Sequence, residues 1–90
     1  MKYGNSVMVN EQELLCNLDR LHTTKLGVVR IKQNLSLDTD DVVAWCKEKI
    51  KSEQARIERQ GKNWCIYIEG CILTVNAYSY TIITAHLQKN

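Results

Sequence analysis

The sequence predicts an α+β domain in which three N-terminal helices pack on one face of a four-stranded antiparallel β-meander. Apolar residues recur about every 3.6 positions up to residue 52 and alternate from residue 55 onward. The 90 residues include no proline and only four glycines, which is typical of regular elements with short connections. We therefore expect a single domain over residues 1–90, with 1–9 as a flexible N-terminus, 10–52 as the helical layer and 55–87 as the sheet.

Two helices are predicted first, from their capping residues and their apolar spacing. Asn10 followed three places later by Glu13 resembles a capping box, so the first helix is expected over residues 11–21. Either Thr23 or Thr24 can cap the second helix, and the glycine in its first turn indicates close packing of the backbone. The inward positions of the second helix are predicted to be Leu26, Val29 (or Val28), Ile31 and Leu35.

A third helix is predicted to begin at Asp38, with Leu37 as the outer half of a hydrophobic staple. The helix macrodipole favours the acidic residues near its start and the lysines near its end: Asp40, Asp41, Lys47, Lys49 and Lys51. Its buried stripe is predicted to be Val42, Trp45, Cys46 and Ile50.

The sheet is predicted from alternation and from turn residues. The segment 55–60 forms the first strand and ends at Gly61. Glu69 and Gly70 are an acidic-glycine pair that is typical of a two-residue hairpin turn. With this turn, six apolar residues of the two central strands face the same side: Trp64, Ile66, Ile68, Cys71, Leu73 and Val75.

The last hairpin can close in two registers, because its connecting segment AYSY lacks glycine. An odd-length loop would place three residues over the core: Thr81, Ile83 and Ala85. It would leave four on the opposite face: Tyr80, Ile82, Thr84 and His86. An even-length loop would invert both sets. We favour the odd loop, because small and β-branched residues pack beneath helices better than a histidine does.

Composition and charge predict a cytoplasmic globular chain that has no membrane association. No apolar run reaches the length of a signal peptide or the roughly 18 residues of a membrane helix. The net charge of +2 is small for a nucleic-acid-binding protein, although residues 47–62 contain six basic and three acidic side chains. The four cysteines are expected to be reduced, with Cys16, Cys46 and Cys71 turned inward.

No metal or cofactor is expected from the motifs of the chain. The cysteines lack the C-x-x-C spacing of metal sites. The sequence also contains no Walker loop, no dinucleotide-binding fingerprint and no Gly-x-Ser-x-Gly elbow.

Polar residues on the outward sheet face are one candidate site. In the favoured register, His86 and Thr84 share this face with Asn76 and Tyr67. Lys62 and Asn63 lie at the neighbouring hairpin tip. A histidine beside hydroxyl and amide groups can act as a general acid or base. The alternative is a surface histidine close to a frayed C-terminus.

The start of the second helix is the other candidate site. Thr24 and the backbone amides of the first turn can bind an anion, with His22 and Arg30 nearby. The alternative is that Thr24 only caps this helix and His22 only closes the preceding one.

Three segments resemble the bacterial domain-of-unknown-function family 3781: LHTTKLGVVRIKQNL, DTDDVVAWCKEKI and GKNWCIYIEGCILTVNAYSYTIITAH. The resemblance covers nearly the whole chain after residue 10. The family carries no established activity, so this resemblance implies a bacterial protein family but no reaction.

The order of helices followed by a meander that ends in IITAH is similar to the barnase/EndoU/colicin/RelE-like group of small ribonucleases. Many members of this group are toxins, and they cleave RNA without metal through attack of the ribose 2′-OH on the adjacent phosphate. The resemblance implies His86 as general acid or base, Thr84 as the orienting residue and His22 as a second proton-transfer group. Substrate contacts would come from Lys62, Arg30, Tyr67 and Tyr80.

Two functional hypotheses therefore arise from the sequence. The first is a metal-independent endoribonuclease of a toxin–antitoxin type, with RNA as substrate and an antitoxin or other protein as partner. The second is a non-catalytic module that binds a protein or RNA through the outward sheet face or an edge strand.

Overall fold

The computed structural model describes residues 11–88, in which helices precede a four-stranded antiparallel sheet. Residues 11–16 form helix α1, and a short 3-10 helix follows at Leu18–Arg20. The remaining elements are α2 (Lys25–Leu35), α3 (Val42–Lys51), β1 (Arg56–Gln60), β2 (Asn63–Ile68), β3 (Cys71–Asn76) and β4 (Ile82–Leu87). The strands lie side by side in chain order, so the α+β class is confirmed. The predicted cap at Asn10 and the predicted flexible N-terminus lie outside the described residues.

The helices begin where a side chain caps the first free amides. The Thr24 hydroxyl accepts a hydrogen bond from the Gly27 amide at 2.9 Å, which confirms Thr24 as the cap of α2. The predicted start of α3 at Asp38 is wrong, because the Asp41 carboxylate accepts from the Ala44 amide at 3.1 Å and caps a helix that begins later. Asp40 does not join that first turn, since it pairs with Lys32 of α2 at 2.5 Å.

Of the predicted inward positions of α2, Leu26 is wrong, and Val29 is the wrong one of the two valine alternatives. Leu26 and Val29 are 55% and 50% exposed, whereas Ile31 is completely buried. Val29 lies two residues before Ile31, which is about 200° around a helix, so both cannot face the core. The inward valine is therefore Val28, which packs against the core.

One hydrophobic cluster joins helix side chains to an alternating set of strand side chains. Its largest fully buried members are Trp64, Leu14, Ile31, Ile50, Ile66, Leu73, Ile82, Val42, Val75 and Cys46. All six strand residues that the sequence predicts to be inward are buried. Cys46 and Cys71 are buried as predicted, but Cys16 is exposed, because it lies two residues from the buried Leu14 on α1.

The turn between β2 and β3 has the geometry that its residues predict. Glu69 and Gly70 both have positive φ angles, 52° and 78°, as a type I′ turn requires. The turn pairs Ile68 with Cys71, and the same register continues to the far end of both strands. The predicted register of the central hairpin is therefore confirmed.

A bulge in β4 changes the predicted pattern of the last hairpin. Thr74 pairs with Thr84, but the next β3 residue, Val75, pairs with Ile82, so Ile83 is an extra residue. After the bulge, Ala85 is buried and His86 is exposed, as predicted. Before the bulge the predicted faces are wrong. Ile82 is buried and Ile83 is 49% exposed, because the extra residue reverses the alternation.

The residues before β4 also differ from the prediction. Tyr80 is 3% exposed and has a φ angle of 60°, a left-handed conformation that turns its ring into the core. Thr81 is half-buried, and its hydroxyl lies within hydrogen-bonding distance of His22 and Ser79. His22 forms an isolated parallel bridge with Thr81, which ties the helical segment to the start of β4.

None of the helices between residues 11 and 88 combines the length and the hydrophobicity needed to cross a bilayer.

The absence of a side chain at Gly27 is predicted to stabilise the fold, because Thr23 occupies the space that a Cβ atom would need. A Cβ atom at position 27 would overlap the Thr23 hydroxyl oxygen, which donates a hydrogen bond to the Ile82 carbonyl at 2.9 Å. Gly27→Ala should therefore destabilise the fold by about 1–3 kcal/mol, although alanine favours helices by about 1 kcal/mol. In a Thr23→Ala background the same change should cost little. Urea denaturation of the four proteins in this cycle measures the coupling, and an equal cost in both backgrounds would contradict the explanation.

Cys46 is predicted to be inert to alkylation in the native state. Burial, with a smaller contribution from Cys71, raises the pKa of the Cys46 thiol to about 12, so roughly one thiol in 10,000 is ionised at pH 8. Iodoacetamide at pH 8 should modify the exposed Cys16 and leave Cys46 unmodified until urea unfolds the protein. Peptide mass spectrometry measures alkylation at both cysteines. Equal rates of alkylation at Cys16 and Cys46 in the native protein would contradict the prediction, because they would show that Cys46 is accessible.

Candidate nucleic-acid interface

A row of neighbouring aromatic rings and guanidinium groups, which we call the stack, extends from the core to the surface; its two buried rings, Trp64 and Tyr80, are tilted by 56°. The buried Trp64 ring lies 5.4 Å from the Tyr80 ring, and the Arg59 guanidinium lies 5.6 Å from the Trp64 ring centre. Arg59 also lies 5.6 Å from the centre of the Tyr78 ring, and Arg20 lies 4.4 Å from that of Tyr80. These distances are within the range of cation–π attraction. The stack therefore positions Arg59 and Tyr78 on a rigid base.

Tyr78 is the outer aromatic member of this stack and is 66% exposed. Its hydroxyl accepts a hydrogen bond from the Arg59 guanidinium at 3.4 Å. Arg59 in turn donates from Nε to the Gly61 carbonyl at 2.9 Å. The Arg59 side chain thus has two hydrogen-bond partners, and the Tyr78 side chain beside it is largely exposed.

Hydrogen bonds hold the two loops at this end of the sheet together. The Ala77 amide donates to the Lys62 carbonyl at 2.8 Å, and the Asn76 side chain donates to Asn63 Oδ1 at 3.5 Å. Asn76 Oδ1 accepts from the amides of Tyr78 and Ser79, each at 2.9 Å. We call the surface formed here the hairpin-end surface, and its residues are Arg59, Lys62, Asn63, Asn76, Tyr78 and Ser79.

The hairpin-end surface is positively charged. Neither segment 59–64 nor segment 76–82 contains an aspartate or a glutamate. Among the described residues, the salt bridges involve other cations, and Arg59 and Lys62 form none. Both cations can therefore pair with an external anion without first losing a carboxylate partner.

A chain of polar side chains connects the hairpin-end surface to His22. Ser79 Oγ lies 3.1 Å from Asn76 Oδ1 and 2.8 Å from Thr81 Oγ1, and Thr81 Oγ1 lies 3.0 Å from His22 Nε2. Asn76 and His22, both predicted site residues, therefore belong to one network. Thr81 and Ser79, which complete it, were not predicted as site residues.

Both ring nitrogens of His22 have partners within the protein. Nδ1 lies 2.9 Å from the Arg20 carbonyl oxygen, which can only accept, so we assign the proton to Nδ1. In the neutral ring, Nε2 then accepts from the Thr81 hydroxyl. His22 thus has no ring nitrogen free to exchange a proton with a ligand directly.

Thr24 and Arg30, also predicted, lie along a groove of about 200 Å³ between α2 and β4. Thr23, Leu26, Thr81 and Ile83 also line it. The Thr24 hydroxyl is occupied by its capping bond to Gly27. Arg30 is exposed beside this groove and is not part of the hairpin-end surface.

The other end of the outward face carries His86 and Tyr67. These residues lie in one row of the sheet, since Tyr67 and His86 both pair with Ile72 from opposite sides. Thr84 lies one row away, opposite Thr74. The only side-chain hydrogen bond found for His86 among the described residues joins Nδ1 to the Leu87 carbonyl oxygen at 3.0 Å.

The two predicted catalytic histidines are far apart. Thr81, which bonds His22, precedes His86 by five residues along the strand, a distance of roughly 16 Å at the usual rise per residue. His22 and His86 therefore do not meet at one reacting atom. Within the described part of the chain, no group of three His, Cys, Asp or Glu side chains could hold a metal ion.

A cation also covers Tyr67, but the charges around it are balanced. The Arg56 guanidinium lies 4.7 Å from the Tyr67 ring centre and pairs with Glu58 at 3.3 Å. Close by, Glu69 pairs with Lys49 at 2.5 Å. This end of the sheet is therefore less suited to phosphate than the hairpin-end surface.

Tyr80 does not fulfil its predicted role as a base-stacking residue. Its ring is buried against Trp64, and burial is the main cause that raises the pKa of its hydroxyl. The exposed tyrosine of this loop is Tyr78, which sequence reasoning missed together with Arg59. The available signal was the aromatic pair in the glycine-free segment AYSY, which is unusual for a tight turn.

Fold and surface define a small α+β domain with an aromatic and cationic end to its sheet. The chain belongs to the family described as "Protein of unknown function (DUF3781)", whose model matches residues 15–86. The sequence resemblance to this family is therefore confirmed. Comparisons with curated proteins and with solved structures gave no match, and none of them supports the likeness to small ribonucleases.

Asn76 is predicted to hold the loop of the hairpin-end surface in shape. Its Oδ1 atom accepts from two backbone amides and from the Ser79 hydroxyl, so Asn76→Ala should cost about 1–2 kcal/mol. Asn76→Asp keeps the acceptor and should recover most of this loss. Thermal melting followed by circular dichroism measures both variants, and an aspartate variant no more stable than the alanine variant would refute this role.

Proposed function

We propose that this domain is a non-catalytic module that binds single-stranded RNA at the hairpin-end surface. The observation that carries the proposal is the exposed Tyr78 ring at the outer end of the aromatic and guanidinium stack. The residue before it, Ala77, bonds to the backbone of Lys62. An unpaired base can continue such a stack irrespective of its sequence, because every base has a π-face. The guanidinium of Arg59 and the ammonium of Lys62 supply charge for the backbone phosphates.

Amide groups at this surface give it a way to contact sugars and base edges. Asn63 is half-buried beside Lys62, and its side-chain carbonyl already accepts from Asn76 at 3.5 Å. The Asn63 side-chain amide is then directed to donate elsewhere, to a base or ribose oxygen. Two cations make a modest electrostatic contribution, which agrees with the small net charge of +2.

The arrangement supports binding better than cleavage. Transfer of a phosphodiester to its 2′-OH needs a base and an acid near one phosphorus atom. His22 has both ring nitrogens engaged, and His86 lies roughly 16 Å along the strand from Thr81. The endoribonuclease hypothesis therefore has no pair of proton-transfer groups at the surface that is best suited to RNA.

Tyr78→Leu should weaken RNA binding because it removes the stacking ring from an exposed position. Stacking contributes about 1–3 kcal/mol per base, which corresponds to a roughly 5- to 150-fold higher Kd. Fluorescence anisotropy with a labelled single-stranded RNA of mixed sequence, in the presence of EDTA, measures the change. Tyr67→Leu is the matched control, because it also removes a cation-covered tyrosine, and it should bind as the unmodified protein does.

Salt dependence provides a second measurement of the same surface. With two phosphate contacts, log Kd should rise with log salt concentration at a slope of about 1.4, and Lys62→Gln should reduce this slope to about 0.7. Unchanged binding by Tyr78→Leu, or equal losses for both tyrosine variants, would refute the proposed surface. RNA cleavage in EDTA that His86→Ala abolishes would support the endoribonuclease hypothesis instead.

A further inference from the structure

Exposed apolar side chains form a second surface, on α2 and the adjoining edge of β4. Leu26, Val29 and Ile83 are 55%, 50% and 49% exposed. Leu26 and Ile83 line the same groove, and Val29 follows Leu26 by one helical turn on the same side of α2. We call these three residues, with the neighbouring Lys25 and Arg30, the α2–β4 patch. Adjacent exposed apolar residues of this kind mark interaction sites.

The charged side chains on the two elements that carry the patch are positive. Helix α2 contains Lys25, Arg30 and Lys32, and neither α2 nor β4 contains an acidic residue. Lys32 pairs with Asp40 of the following loop at 2.5 Å. Lys25 and Arg30 form no salt bridge among the described residues, so both can pair with carboxylates of a ligand.

Three backbone hydrogen-bonding groups at this edge of β4 are already occupied. The Ile82 amide donates to the His22 carbonyl at 2.8 Å, and its carbonyl accepts from the Thr23 hydroxyl at 2.9 Å. The Ala85 carbonyl accepts from the Asn34 side chain at 3.2 Å. An incoming strand would have to displace these bonds, so strand addition is disfavoured here. A helix that contacts the side chains of the patch would leave these bonds intact.

We propose that the α2–β4 patch docks an acidic amphipathic helix of another protein. Apolar residues of that helix would cover Leu26, Val29 and Ile83, and its carboxylates would pair with Lys25 and Arg30. A second copy of the chain is disfavoured, because a symmetric contact would bring like charges together. Segment 1–10 of the chain does not complement the positive charge of the patch either, since it contains Lys2 and no acidic residue.

Two designed peptides provide the probe. The first has about 18 residues, with leucines at helical spacing on one side and glutamates on the other, and the second has lysines in place of the glutamates. Fluorescence anisotropy should show binding of the acidic peptide at micromolar concentration and at least tenfold weaker binding of the basic peptide. Sedimentation of the protein alone should show a monomer at the same concentration.

Variants test whether the acidic peptide binds at the α2–β4 patch. Leu26→Gln/Val29→Gln and Arg30→Glu should each weaken binding of the acidic peptide by about tenfold or more. Both glutamines favour helix and replace exposed side chains, so the fold should be unaffected. The matched controls are Leu87→Gln, an equally exposed apolar residue of β4, and Lys47→Glu on α3, which should both bind normally.

The experiments distinguish the proposed helix from the other ligands that could cover the patch. Equal binding of both peptides, or normal binding by the patch variants, would overturn the proposal. Dimerisation that Arg30→Glu abolishes would assign the patch to a second copy, and tighter binding to vesicles of anionic phospholipid than to the acidic peptide would assign it to a membrane. Tyr78→Leu should leave peptide binding unchanged, so failure here is distinguishable from failure of the RNA proposal.

Discussion

The structure depends on the register of the β2–β3 hairpin, which its two-residue turn determines. Glu69 and Gly70 both adopt positive φ, and this conformation matches the right-handed twist of the strands. A slip of one residue would move the buried side chains of one of the two strands to the outward face. Trp64, which is fully buried at the far end of this ladder, would then lose its position between Tyr80 and Arg59. The stack, and with it the hairpin-end surface, follows from a turn at the opposite end of the sheet.

The bulge at Ile83 determines how the last strand joins this frame. Without the extra residue, strict alternation would bury either Ile82 or Ala85, but not both. The bulge allows both to face the core, and the left-handed conformation of Tyr80 then brings its ring against Trp64. Tyr78, two residues before Tyr80, is exposed instead, and its backbone amide donates to the Asn76 side chain.

Local signals explain what could be predicted from the sequence. The turn at Glu69–Gly70, the cap at Thr24 and the inward side of the central hairpin each depend on a few neighbouring residues, and each is confirmed. The bulge at Ile83 has no comparable signal, since it depends on which of two packings fills the core better. The exposure of Leu26 and Val29 has no clear local signal either. With two adjacent valines, the helical spacing of apolar residues fits two different orientations of α2.

In the candidate site too, local features were predicted and contacts between distant residues were missed. Lys62 and Asn63 were predicted at a hairpin tip beside Asn76, and the structure joins these loops by hydrogen bonds. Arg59 and Tyr78 were missed because their contact joins positions on different hairpins. Thr81 links this surface to the α2–β4 patch, since it lines the groove beside Leu26 and bonds His22. The two surfaces therefore share a hydrogen-bonded network that no local pattern in the sequence indicates. Its members come from the segment before α2 and from the loop between β3 and β4, which lie far apart in the chain.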